Sequence, residues 1–165
     1  AADAERGKVM HFNRTNLAWH NGTFYYCAEN VIKGRYVLKF KAKSSVSENM
    51  KANQLRIGAY MQEFYTGEDG KLKNKDYFAI IENNKTEVTT VYKQILTSDA
   101  YDEYTIVFDL GRVSNIHNAT AANVTEESKQ VASEELLKKV VLYLSPNKAG
   151  TDFWIDDISW EPLKD

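Results

Sequence analysis

The stretch from Phe12 to Gly22, F-N-R-T-N-L-A-W-H-N-G, places an indole, an imidazole, a guanidinium and amides within a few residues of one another. Sugar rings present apolar C–H faces and a rim of hydroxyls, so recognising them takes flat aromatic side chains beside hydrogen-bonding groups. Trp19 with Arg14, His20 and Asn21 has that make-up, and so does Tyr60 with Arg56 and Gln62. Tyr143 is a third candidate. It lies between Leu142 and Leu144, and strand alternation points it outward together with Val141. The plain alternative for each of these aromatics is packing at the edge of a sheet.

Chemistry of the hydrolytic or group-transfer kind is harder to assemble. His11, His20 and His117 are not in metal-ligand spacing, and the nucleophile-elbow, phosphate-loop and dinucleotide fingerprints do not occur. Asp156-Asp157 is the one conspicuous acidic pair. Neighbours on a strand point to opposite faces, so the two carboxylates are not expected to flank a single scissile bond. One of them helping to hold a hard cation such as calcium, or a solvated, turn-capping pair, are the two remaining readings. The chain therefore reads as non-enzymatic.

Composition bounds the class. The 165 residues are 43% hydrophobic and 27% charged with a net charge of -2, which suits one globular domain over 1–165 and offers no basic surface for nucleic acid or anionic membrane. No apolar run is long enough to insert in a bilayer. The N-terminus A-A-D-A-E-R-G-K lacks a signal-peptide core, so the chain reads as a mature or excised module. Cys27, the single cysteine, is expected as a small apolar core residue. N-x-S/T triplets stand at Asn13, Asn21, Asn84, Asn118 and Asn123 and matter only where a cell glycosylates them.

The supporting elements are mostly strands. Lys8 to Phe12 and Thr23 to Cys27 are short apolar runs. Arg35 to Lys43 alternates Tyr36, Leu38, Phe40 and Ala42 against basic residues, the two-residue period of a half-buried strand. After the polar linker Ser44 to Asn53, Leu55, Ile57, Ala59 and Met61 face one way and Gln54, Arg56, Tyr60 and Gln62 the other. A turn is expected at Thr66 to Gly70, running on through Leu72 to Lys75. Strands are then expected at Tyr77 to Glu82, Glu87 to Ile95 and Tyr104 to Leu110. Thr125 to Lys139, with a threonine N-cap, early acids and late lysines, reads as one helix packing through Val131, Leu136 and Val140. Val140 to Leu144 and Asp152 to Trp160 close the chain around a turn at Pro146 to Gly150. Many short strands without alternating helices predict an all-β antiparallel sandwich, jelly-roll-like, with one short helix inserted before the last two strands.

The order N-R-T, W and G, then G-R-Y-V-L-K-F-K-A-K at Gly34 to Lys43, the Y-T-I-V-F strand, and the closing L-Y-L and D-F-W-I-D-D-I-S-W resembles the carbohydrate-binding modules of families four, nine and twenty-two. The N-R-T pattern is most similar to the xylan-binding family twenty-two. The likeness spans most of the chain. N-R-T and Trp19 are separated by three residues where the family has two, and Trp19 and Gly22 by two where it has one. The chain starts after a first strand region that family members carry, and Ser145 stands where they have an acid.

The resemblance implies a non-catalytic β-sandwich that binds xylan or a related β-glycan, attached covalently to a catalytic domain such as a xylanase in a bacterial secreted enzyme. It makes Trp19 and Tyr143 stacking platforms and puts a third aromatic where this sequence has Phe64 and Tyr65, with Tyr65 preferred and Tyr60 its rival. It gives Asp156 to a structural calcium and has Arg14 orient the loop. A structural or protein-interaction sandwich within a larger multimodular enzyme is the alternative, with the same aromatics buried at a domain interface.

Overall fold

In a computed structural model, which describes residues 2–3, 6–14, 22–82, 91–116 and 129–164, strands make up nearly all of the ordered elements. They are β1 (Ala2–Asp3), β2 (Gly7–Lys8), β3 (Met10–Asn13), β4 (Phe24–Glu29), β5 (Arg35–Ser44), β6 (Gln54–Thr66), β7 (Leu72–Ile81), β8 (Tyr92–Leu96), β9 (Asp102–Ser114), β10 (Lys129–Val131), β11 (Lys139–Pro146) and β12 (Asp152–Pro162). A 3₁₀ turn, Met50–Asn53, precedes β6, and a single helical turn, α1 (Glu134–Leu137), precedes β11.

β1 and β2 pair only with each other. The remaining strands form one antiparallel sheet in the order β3-β12-β5-β9-β7-β6-β11-β4, with β10 beside β9 and β8 beside β6. The pairing of β7 with β9 is irregular. The register slips there between Ala79 and Ile80, and such bulges bend strands. The sheet is nearly closed, and its largest buried cluster draws on β5, β6, β9 and β12.

The two-residue period explains which side chains fill that core. Tyr36, Leu38, Phe40 and Ala42 of β5, Leu55, Ile57, Ala59 and Met61 of β6, Ile106 and Phe108 of β9, and Phe153 and Ile155 of β12 belong to one buried cluster. Full burial of each large side chain stabilises the fold by about 1.5–3 kcal/mol. β5 pairs with β9 on one side and β12 on the other, so its backbone is satisfied along both edges.

Several elements differ from the sequence reading. Leu72 to Lys75 belongs to β7, because β6 and β7 stay paired out to Thr66↔Leu72 and the turn is confined to the residues between. The strand expected at Glu87 to Ile95 is described from residue 91 onward, where β8 begins at Tyr92. In the expected helix of Thr125 to Lys139, Lys129–Val131 instead pairs with Arg112–Ser114 of β9. Among the described residues of that stretch only Glu134–Leu137 is helical, capped by Ser133, whose side chain accepts from the Leu136 amide. The open edge of β9 satisfies backbone groups that a short, weakly apolar helix would leave to water, and tertiary pairing overrides local propensity. Val131 is exposed in consequence, whereas Leu136 and Val140 pack as expected. Cys27 is exposed too. It sits on β4, at the end of the sheet, on the face opposite to buried Ala28.

Candidate functional site

The face of β6 turned away from the core carries Arg56, Gly58, Tyr60 and Gln62, since Leu55, Ile57, Ala59 and Met61 are consumed by the core. Its neighbours complete the surface. On one side β11 sets Tyr143 opposite Gly58 and Ser145 opposite Arg56. On the other, β8 sets Tyr92 opposite Gly58, and further along β7 sets Phe78 opposite Tyr60 and Asp76 opposite Gln62. Between them lies a cleft of about 830 Å³.

The floor of the cleft is aromatic. Tyr60, Phe78 and Tyr143 line it, and the rings of Tyr60 and Tyr143 lie 6.3 Å apart at 47°. Phe78 also joins Ile80 and Val91 in a small apolar cluster against which Tyr60, Tyr92 and Ile116 pack, so the floor has its own support. Tyr143 is on the outer face as the alternation predicts. It is nevertheless only 7% exposed, and its companion Val141 only 8%, which corrects the expectation of an outward, solvent-facing pair. β11 runs between β6 and β4, and residues of both flanking strands crowd over it. Tyr143 is therefore a buried floor residue, and Tyr60 is the more accessible ring.

Gly58 makes this arrangement possible. A Cβ there would stand 2.4 Å from the Tyr143 hydroxyl and 2.6 Å from its ring carbon Cζ, so only a glycine lets the phenol lie across β6. The Arg56 guanidinium sits 3.6 Å from the centre of the Tyr92 ring and hydrogen bonds Tyr143. Burial pushes the Tyr143 phenol up, opposed by the charge and hydrogen bond of Arg56. Burial raises Tyr60 and Tyr25 as well. Tyr143 and Tyr60 thus face the cleft as neutral hydroxyls that donate and accept.

The rim is polar. Gln62 Nε2 and Asn74 Nδ2 both donate to Asp76 Oδ1 at 2.9 Å, which holds that carboxylate in place. At the other end Arg14 donates to the carbonyls of Pro146 and Asn147, at 3.4 and 3.2 Å. Asn147 Nδ2 donates to Gln54 at 2.9 Å, and the Thr23 hydroxyl donates to Ser145 at 2.9 Å. Arg14 thus ties the chain after β3 to the turn after β11 and also lines the cleft.

Of the residues expected at a site, Arg56, Tyr60, Gln62 and Tyr143 come together here. Trp19, His20 and Asn21 lie outside the described residues, as does His117. Tyr65 does not join them. It pairs with Lys73 at an odd position of β6, on the face opposite to Gln62, and it is Phe64, across from Asn74, that shares the cleft face. Phe78, Asn74, Asp76, Tyr92 and Gly58 were missed by sequence reasoning. An isolated glycine inside a strand pattern signals close backbone approach and would have found Gly58.

Asp156 lies in the other half of the sheet. The register of β12 slips between Asp156 and Ser159, and Asp157 adopts φ 51°, so the two neighbouring carboxylates do not point to opposite faces. Both reach the Arg6 guanidinium, and Asp157 also meets Lys41 at 2.9 Å. The Lys41 hydrogen bond and the Arg6 charge hold the Asp157 carboxyl below its usual range. A calcium ion takes six to eight oxygens. Among the described residues no three His, Cys, Asp or Glu side chains gather around one point, and this acidic pair already faces two cations. Asp156, which the sequence resemblance gives to a structural calcium, is thus engaged by the Arg6 guanidinium.

No family model matches the sequence, and no curated protein matches it significantly. Solved structures do match. A candidate sugar-binding protein from Bacteroides thetaiotaomicron superposes with a TM-score of 0.72 at 16% identity, over 99% of this chain and 79% of that one. A family-four carbohydrate-binding module gives 0.47 at 11% identity, over 90% and 64%. The family-twenty-two module and catalytic module of a Clostridium thermocellum xylanase, solved with xylohexaose, give 0.40 at 9% identity, over 94% of this chain and 25% of that one. At these identities what the first shares with this chain is the fold, and the scores of the other two are too low to say more.

Proposed function

We propose that this chain is a non-catalytic carbohydrate-binding module on a jelly-roll-type sandwich. It takes β-linked plant cell-wall polysaccharide, xylan or a related β-glycan, in the cleft between β7, β6 and β11, and so targets a covalently linked glycoside hydrolase outside the cell. The observation that carries the reading is the cleft itself, an aromatic floor of Tyr60, Phe78 and Tyr143 inside a rim of amides, guanidinium and carboxylate. Pyranose C–H faces lie on Tyr60, and the neutral phenols and the Gln62–Asp76–Asn74 group exchange hydrogen bonds with hydroxyls. Trp19, by residue type and by the sequence resemblance, supplies a further stacking ring.

Calorimetry and affinity electrophoresis with soluble xylan, mixed-linkage β-glucan and mannan test this, using wild type, Tyr60→Ala and Trp19→Ala. Tyr60 is chosen because it is only partly buried and packs against the small Phe78 cluster rather than the main core. Loss of one stacking ring is expected to weaken binding about tenfold, the effect of roughly 1.4 kcal/mol. Wild type that binds none of the three polymers sinks the proposal.

One observation favours the second reading, a protein-interaction or structural sandwich. The β6–β7 hairpin tip exposes Phe64, Tyr65 and Leu72 to solvent. A wild type indifferent to glycans whose self-association or partner binding depends on that tip would support it.

A further inference from the structure

On the β7 side of the cleft two amides converge on one carboxylate oxygen. Gln62 stands directly opposite Asp76 in the β6–β7 register, and Asn74, two positions before Asp76 on β7, shares its face. Both amide nitrogens donate to Asp76 Oδ1, each at 2.9 Å, and neither takes Oδ2. A carboxylate accepts hydrogen bonds and does not donate them, so both amides must turn an N–H toward it, and the three side chains hold one another in a single arrangement. Lys75 lines the cleft beside them, with its ammonium 5.1 Å from the centre of the Tyr77 ring. One rung along the ladder, Tyr60 faces Phe78. Two residues of strand span about 7 Å, so a pyranose resting on Tyr60 brings its hydroxyl rim to Asp76.

We infer that Asp76 reads the substitution state of the glycan: the ring on Tyr60 must bring an unsubstituted hydroxyl to Asp76 Oδ2, so the cleft takes bare stretches of the chain and discriminates against rings O-acetylated at that position. This rests on the glycan-binding reading of the same cleft. A free hydroxyl gives the carboxylate a charge-assisted hydrogen bond, the stronger kind. An ester oxygen has no proton to give. The same ring, once acetylated, sets acceptor against acceptor and displaces water from the carboxylate without replacing its hydrogen bonds. Gln62 and Asn74 do not supply the missing donor to Oδ2 while both are committed to Oδ1. Of the three side chains Asp76 is the one with no donor of its own, which makes it the discriminating residue.

The test compares, by calorimetry, O-acetylated xylan and mannan oligosaccharides with the same oligosaccharides after mild alkaline deacetylation, which removes acetate and leaves the backbone unchanged. Wild type is expected to bind the deacetylated form about tenfold more tightly, as one hydrogen bond to a charged group implies. In Asp76→Asn, whose amide can donate to an ester carbonyl, the preference should collapse, chiefly through weaker binding of the deacetylated form. Asp76→Ser is the second variant, in case thermal melting shows that Asp76→Asn disturbs the β6–β7 pairing. Equal binding of both forms by wild type overturns this inference and leaves the glycan reading standing. A preference that stays at the wild-type ratio in the folded variants shows that acetyl groups are excluded elsewhere and overturns the assignment to Asp76. Failure to bind either form defeats the glycan reading and the inference together.

Discussion

Placing a methyl group on Gly58 tests the geometry of the cleft at its tightest point. The new Cβ would stand 2.4 Å from the Tyr143 hydroxyl, 2.6 Å from Cζ and 2.8 Å from Cε1, whereas ordinary contacts begin near 3.4 Å, so the ring must retreat by about 1 Å. It has little room to do so, being 7% exposed beside Tyr60 and Arg56. Overpacking of this kind costs about 1–3 kcal/mol. Gly58→Ala should therefore lower stability by that amount in urea denaturation and weaken glycan binding, because the displaced phenol lifts the floor of the cleft. The cause can be isolated with a double-mutant cycle. In a Tyr143→Ala background the methyl group meets open space, and Gly58→Ala should become neutral or slightly stabilising, since alanine loses less chain entropy than glycine in a strand. A Gly58→Ala penalty that is as large without the Tyr143 ring as with it would refute the reasoning.

Other consequences follow from single contacts. Phe64→Ala should weaken glycan binding more than Tyr65→Ala does, because Phe64 shares the cleft face with Gln62 and Asn74 while Tyr65 is on the opposite face; equal losses in calorimetry would mean that the hairpin register does not extend to its tip. Arg6→Ala should lower the melting temperature by freeing the Asp156 and Asp157 carboxylates, with the gap to wild type closing at high salt, and calcium or a chelator should leave the wild-type melt unchanged. Hydrogen bonds from Asn13 and His11 hold the Asp152 carboxyl below its usual 3.8. Its stabilising share is therefore present above that value and is lost as pH falls from about 4 through the lower folded value. Asp152→Asn should flatten the acid limb of the stability profile by less than about 1 kcal/mol, the size expected of a solvent-exposed pair, and an acid limb unchanged by the substitution would show that these bonds contribute nothing.

Much of this protein is legible one strand at a time. The alternation of β5 and of β6 assigned Leu38, Phe40, Ile57 and Met61 to the core and Arg56, Tyr60 and Gln62 to the other face, because side-chain direction in a strand is a local property of the backbone. The same local rule predicted an antiparallel all-β chain and put Tyr143 on the outer face. It also failed in instructive places. Residues 129–131 look helical alone but bind the edge of β9, Asp156 and Asp157 lose their alternation at a bulge, and Cys27 faces solvent because β4 ends the sheet.

What tertiary structure alone decided is register and neighbourhood. Tyr143 could not be known as a buried floor residue until Gly58 was set against it, nor could Phe78, Asn74 and Asp76 be joined to Tyr60 and Gln62 before β7 was paired with β6. The sequence by itself determined the faces of this protein, since those follow from a two-residue period within each strand. The cleft was decided by pairings between residues as far apart in the chain as Arg56 and Ser145, which only the free energy of the whole folded sheet selects.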